Sequence, residues 1–265
     1  MSASDFIVAG NGPSLALTDP TRIDPESTVI RVNNFFFEPR YYLGRRVDIV
    51  QVGGDRWIFP FYARTLMRAC REGMYDVAGW STHQPHVEKR GKRLFRDWPF
   101  VQVTYRDKFV RRFVENLTTR FSRNPTTGIL AVINAHGLGA ERITLTGIDL
   151  YDHPTRYPFE VGPNAADVIN RTSGYNLRFH DAELDLAILD YLISRDDAQF
   201  FRASEGSPRL SHLPLAPRRF GNDLNQEKQS RISDWEKWSG IWPIHLAKML
   251  RRAREHQIDF KRRWK

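Results

Sequence analysis

Short apolar runs alternate with helix-period segments along most of this chain, and the first run stops on a glycine turn. Phe6-Ile7-Val8-Ala9 leads directly into Gly10-Asn11-Gly12-Pro13-Ser14. An apolar run that ends on such a turn and passes into helical sequence opens a βα unit. Val29–Asn33 and Val47–Val52 repeat the strand pattern, with further candidates at Asp76–Trp80, Val101–Tyr105, Arg142–Thr146 and Gln199–Arg202. Apolar residues recur at helical spacing over 57–72 (Ile58, Phe61, Tyr62, Leu66, Met67), Lys108–Leu117, Gly128–His136 and Asp181–Ile193. The alternation predicts an α/β fold, a mostly parallel sheet with helices on both faces. Ligands of such sheets bind at the carboxyl ends of the strands, so Gly10–Ser14 stands at the binding edge.

Gly10 and Gly12 let backbone amides approach a phosphate or sugar closely, and the helix N-terminus behind them favours negative charge. Short glycine turns also serve as plain connections. The dinucleotide version of the motif is broken twice: Leu15 occupies the third glycine position, and the second strand ends on Asn33-Asn34 where an acidic residue holds a ribose. Metal ligands are scarce. His83 and His86 flank Pro85 with no cysteine nearby and read as surface histidines, and Asp149 and Asp152 do not form an Asp-x-Asp pair. A bound nucleotide phosphate therefore needs something other than a metal to offset its charge. Tyr151 and Tyr157 carry phenolic donors suited to that task, although half-buried packing is the ordinary use of tyrosine. His180 lies where a turn-rich stretch meets a helix, a place from which an imidazole can act as a base, and Arg178 would lower its pKa if near. That stretch, Asp149–His180, is long and poorly periodic, which predicts a lid at about 150–180.

A hydrophobic fraction of 41% with 12% aromatic residues excludes disorder throughout. The net charge of +9 points to an anionic partner: nucleotide, nucleic acid or acidic lipid. Aromatic residues are not interleaved with the basic ones in a nucleic-acid-binding motif, so nucleic acid is set aside. Cys70 is the single cysteine, no apolar leader opens the sequence, and no run approaches the roughly 20 residues that span a bilayer. A cytoplasmic protein is expected. Prolines punctuate 208–217, dividing a domain at 1–204 from a basic tail at 205–265 that carries Trp235, Trp238 and Trp242 among Lys248, Arg251, Arg252 and Arg254. Such a tail suits a peripheral helix on an anionic inner-membrane surface, packing on the domain, or assembly into a homo-oligomer.

As a set, these motifs resemble the bacterial sialyltransferases of glycosyltransferase family 42. The resemblance runs through Gly10–Leu15, Arg31-Val32-Asn33-Asn34-Phe35, Tyr41-Tyr42-Leu43-Gly44, Thr126-Thr127-Gly128, Gly139, Thr146–Tyr151, Tyr157-Pro158-Phe159 and His180, in the family's order over about 5–203. It implies a single Rossmann-like domain of the GT-A variant type and an inverting, metal-independent transfer of sialic acid from CMP-sialic acid to a glycan hydroxyl, with no cofactor. A galactoside of a lipooligosaccharide or capsule is the expected acceptor. It further implies that Tyr151 and Tyr157 hold the departing phosphate and that His180 is the base. Gly10, Asn11, Gly12, Ser14, Asn33, Asn34, Thr126, Thr127, Gly128, Gly147 and Asp149 would form the donor site, with Thr127 near the sugar carboxylate. Relatives in the family assemble as tetramers. The chain departs from the pattern at Gly53, where a polar side chain is expected, at Asn124, where an arginine is expected, and at Leu177, which replaces a tyrosine. All three lie toward the sugar, leaving open another CMP-activated nonulosonic acid or Kdo as donor, or a non-catalytic nucleotide- or glycan-binding module.

Overall fold

The computed structural model describes residues 5–54, 57–169, 180–221, 223–241, 244–250 and 253. Six strands form one sheet in which every pairing is parallel: β1 (Asp5–Ala9), β2 (Thr28–Val32), β3 (Ile49–Gln51), β4 (Trp80–Ser81), β5 (Arg142–Thr146) and β6 (Gln199–Arg202). Their order across the sheet is β4-β3-β2-β1-β5-β6. The chain steps outward from β1 to β4 and then crosses back, so Ala9 lies opposite Arg31 on one side and Thr146 on the other. That reversal makes the carboxyl ends of β1 and β5 a topological switch point, where such sheets bind ligands.

The helices are α1 (Phe59–Arg71), α2 (Pro85–Leu94), α3 (Lys108–Phe121), α4 (Thr127–Gly137), α5 (Pro163–Ile169), α6 (Ala182–Ser194) and α7 (Trp235–Ser239). Side chains of Asp107, Thr126, Asp181 and Asp234 accept from first-turn amides and so start α3, α4, α6 and α7. Helix α4 is apolar all round and buried from Ile129 to His136, because it lies between β1, β2, β3 and β5 on one side and α6 on the other. The opposite layer is aromatic: Phe35-Phe36-Phe37, Tyr62 and Phe59 of α1, Trp80 and Phe95 meet edge to face or tilted.

Two local expectations are corrected, and one helix was not foreseen. Residues 101–105 form no strand. The Val101 amide bonds the Trp80 carbonyl at 2.8 Å and the Thr104 amide bonds Asn134 Oδ1 at 3.3 Å, so the segment runs beside the sheet with no ladder partner of its own. Asp76–Trp80 divides, with Asp76–Val77 pairing Arg46–Val47 outside the main sheet while Trp80 enters β4. Helix α2 was hidden by its polar composition and by Pro85, which sits in the first turn where proline is tolerated.

The described residues from 205 to 241 pack into the body. The Ala216 amide returns to the Arg202 carbonyl at 2.9 Å, and Gln226–Glu227 pairs antiparallel with Arg40–Tyr41. Lys228 donates to the carbonyls of Phe36 and Glu38 and to the Tyr75 hydroxyl, which itself donates to Glu38 of the buried Arg31–Glu38 ion pair. Trp235 is 1% exposed and packs against Phe37, so it belongs to the aromatic core and not to a membrane face. Residues 244–250 are helical and expose Leu246, Met249 and Leu250; Trp242, Arg251, Arg252 and Arg254 lie outside the described residues. No described helix is long and apolar enough to cross a membrane.

Candidate functional site

The crevice opens at the switch point, where two turns meet at close quarters. The Gly10 amide bonds the Thr146 carbonyl and the Gly12 amide bonds the Gly147 carbonyl, each at 2.9 Å. A Cβ on Gly10 would stand 2.1 Å from the Gly147 carbonyl oxygen, and Gly147 itself has φ +62°. Only glycine permits that approach, and it adopts that conformation without the strain a side chain adds.

Asp149 Oδ2 accepts the Ser14 amide at 2.9 Å, and its Oδ1 is buried with no hydrogen-bond partner. Burial pushes the Asp149 carboxyl above the usual carboxylate range, partly offset by Ser14. Asn11 donates to the Val32 carbonyl at 2.8 Å, which leaves its Oδ1 likewise buried and unpartnered. Asn33 sits at φ +44°, a conformation asparagine tolerates, and accepts the Gly53 amide at 2.9 Å.

Across from this floor, the first turn of α4 borders the crevice with Thr126, Thr127 and Gly128. The Thr126 amide donates to Asp185 Oδ1 at 3.0 Å. Asp185 is fully buried on α6, and burial pushes its carboxyl up to about 7 despite that hydrogen bond.

The rim is built from a backbone that turns the unusual way. Leu150 and Tyr151 have φ of +47° and +64°, a conformation that costs a non-glycine residue about 1–2 kcal/mol. Contacts from the 206–209 segment hold the rim. Asp152 accepts Arg209 Nε at 2.7 Å and His153 Nε2 lies 2.8 Å from the Gly206 carbonyl. Tyr151 lies roughly parallel to the His180 ring, centroids 6.4 Å apart, and Tyr157 stacks on Phe159. The Arg156 guanidinium lies 5.6 Å from the centre of the Tyr157 ring.

His180 stands just before the cap of α6, with Nδ1 3.4 Å from the Asn124 carbonyl. A carbonyl only accepts, so this contact assigns the hydrogen to Nδ1 and the lone pair to Nε2. Burial lowers the His180 pKa, the Asn124 carbonyl opposes the change, and the Arg156 charge lowers it further. His83 is driven down to about 4 by burial, with His180 and His86 adding to the effect. It is therefore no ordinary surface histidine.

The crevice gathers Gly10, Asn11, Gly12, Asn33, Thr126, Thr127, Gly128, Gly147, Asp149, Tyr151, Tyr157 and His180. Two expected donor residues do not line it. Ser14 is buried beneath the floor and acts through Asp149, while Asn34 precedes the short helical turn Phe35–Phe37. Gly53 gives way to Thr127, since a Cβ there would stand 2.4 Å from Thr127 Oγ1. Asn124 offers its carbonyl while its side chain is exposed. Leu177 and Arg178 lie outside the described residues. Sequence reasoning passed over Arg156 and Asp185 and took His83 for a surface histidine. Only Arg156 carried a readable signal, as the one lysine or arginine between Asp149 and Asn170.

The sequence model described as alpha-2,3-sialyltransferase (CST-I) matches residues 4–234. Among solved structures, the chain is similar to the monofunctional alpha-2,3-sialyltransferase Cst-I from Campylobacter jejuni, with a TM-score of 0.76 and 22% identity over 96% of this chain and 95% of that one. It is also similar to the sialyltransferase CstII from Campylobacter jejuni in complex with the substrate analogue CMP-3FNeuAc, with a TM-score of 0.71 and 24% identity over 87% and 93% of the two chains. A third likeness, at a TM-score of 0.69 and 24% identity over 87% and 94%, is to the sialyltransferase CST-II in complex with a trisaccharide acceptor and CMP. No curated protein sequence matches significantly.

Proposed function

The chain belongs to the alpha-2,3-sialyltransferase (CST-I) family, and from that premise we propose that it transfers sialic acid from CMP-sialic acid to a hydroxyl of a glycan acceptor, inverting the anomeric centre without a metal. A galactoside of a surface glycan is the acceptor class proposed. The observation that carries this reading is the meeting of Tyr151, Tyr157 and a His180 with its Nε2 lone pair at the switch-point crevice. Solved relatives include complexes with CMP, with CMP-3FNeuAc, and with a trisaccharide acceptor and CMP.

The floor suits the nucleoside. Asn11 Oδ1 and Asp149 Oδ1 are acceptors without donors, which ribose hydroxyls or the cytosine amine can satisfy. The first turn of α4, at Thr127 and Gly128, suits the sugar carboxylate through its amides and dipole. In the proposed step the acceptor oxygen bonds to the anomeric carbon as the carbon–oxygen bond to phosphate breaks. The hydroxyl proton passes to His180 Nε2, and CMP departs with the bonding electron pair. Attack opposite the leaving group inverts the centre. Tyr151 and Tyr157 donate hydrogen bonds to the phosphate as its charge grows, which is stabilisation delivered mainly in the transition state.

His180→Ala is expected to lower the rate by about 100-fold or more, the usual worth of a positioned base, while CMP binds as before. A variant that turns over normally would remove His180 from the mechanism. Among the described residues no three histidine, cysteine or carboxylate side chains converge as a metal site. A chelator is expected to leave the rate unchanged; a strict divalent-cation requirement would defeat the tyrosine–phosphate account.

A further inference from the structure

A CMP-activated sialic acid brings two negative charges into the crevice, one on its phosphodiester and one on its carboxylate. The crevice wall already contains two carboxyl groups, Asp149 and Asp185. Asp149 is bound to the Ser14 amide and Asp185 to the Thr126 amide. Neither offers a charge of the sign the donor needs. Among the described residues that line it, Arg156 is the only lysine or arginine.

We propose that Arg156 is the counter-ion of the donor phosphate, working beside Tyr151 and Tyr157. This assignment rests on the transferase reading above. Its guanidinium lies 5.6 Å from the centre of the Tyr157 ring, and Arg156 borders the crevice together with Tyr151 and Tyr157. It therefore occupies the same rim as both tyrosines. The α4 turn, proposed for the carboxylate, belongs to another wall built by Thr126–Gly128. A planar guanidinium presents paired donors that match phosphate oxygens, and in a half-buried crevice such charge-assisted bonds are among the strongest available.

The position also has a consequence for the base. The same cation acts on His180 and disfavours its protonation, so one side chain both receives the leaving group and keeps the nearby imidazole able to take a proton. Asn124, where the family pattern expects an arginine, supplies only a carbonyl to His180. The crevice cation of this chain comes from the tyrosine-bearing rim instead.

The test compares binding of CMP and cytidine, which differ by the phosphate alone, to the full-length protein and to Arg156→Ala and Arg156→Lys. The wild type is expected to bind CMP more tightly than cytidine. Arg156→Ala is expected to weaken CMP by about 10- to 100-fold, the worth of a charged hydrogen-bonded contact, while cytidine affinity changes by less than about twofold. Arg156→Lys should recover part of the CMP affinity. Should Arg156→Ala fail to fold, Arg156→Gln, closer in volume, carries the same comparison. Equal loss for both ligands, or CMP affinity left unchanged, overturns the assignment. A wild type that binds neither ligand overturns the transferase reading, and the assignment with it.

Discussion

His180 can accept a proton only while Nε2 is bare, and two neighbours together with burial set that state. The Asn124 carbonyl fixes the hydrogen on Nδ1, while burial and the Arg156 charge hold the imidazole below its ordinary value of 6.5. Activity that depends on the neutral base falls as pH drops through the folded pKa. The acidic limb of kcat is therefore expected below pH 6.5, and a limb centred above that value would contradict the assignment. Asp185 gives the opposite sign in stability. Its carboxyl titrates at about 7 in the fold against 3.8 as a free side chain. The stability gained by holding that proton is complete below 3.8 and is lost as pH rises through 7. Asp185→Asn keeps an acceptor for the Thr126 amide, so its Tm is expected to gain on the wild type across that window. Parallel pH curves would rule this out. Tyr151, Tyr157 and His180 were legible in the sequence because their spacing belongs to a pattern. Asp185 was not, since an acidic residue on a helix declares nothing until its burial is known.

At the scale of elements, the site depends on β1 and β5 ending in glycines that touch. Gly10→Ala places a methyl 2.1 Å from the Gly147 carbonyl, a backbone atom that cannot swing aside. The substitution is expected to destabilise the fold by at least about 1–3 kcal/mol, measured by urea unfolding; wild-type stability would mean that the two turns can part. The strands of this sheet could be read from sequence because parallel strands covered on both faces are continuous apolar runs, as in Phe6–Ala9. Val101–Tyr105 has the same composition but no ladder partner, and pairing is a tertiary fact that composition does not carry. The lid expected at about 150–180 includes α5 and a rim held by Arg209 and Gly206. Those holds come from residues beyond 204, which no local reading connects to the site.

At the scale of the molecule, the mostly parallel sheet was foreseen and the disposition of 205–241 was not. Tryptophans beside basic residues read equally well as a membrane face or as core, and the deciding fact is that Phe37 and α1 require Trp235 to cover them. Trp235→Ala is expected to cost about 3–5 kcal/mol, seen as a lowered Tm; an unchanged Tm would return the segment to a peripheral role. The whole arrangement places a nucleotide floor, two phenols and a neutral imidazole around one crevice, and its central claim is that sialic acid moves there from CMP to a sugar. The most direct measurement incubates the purified protein with CMP-sialic acid and a panel of galactoside acceptors, alongside other CMP-activated nonulosonic acids, and weighs the products by mass spectrometry. The account predicts an acceptor heavier by one sialic acid residue, with CMP released in equal amount and both lost in His180→Ala. No acceptor-dependent CMP release from any of these donors, or release undiminished in that variant, would contradict it.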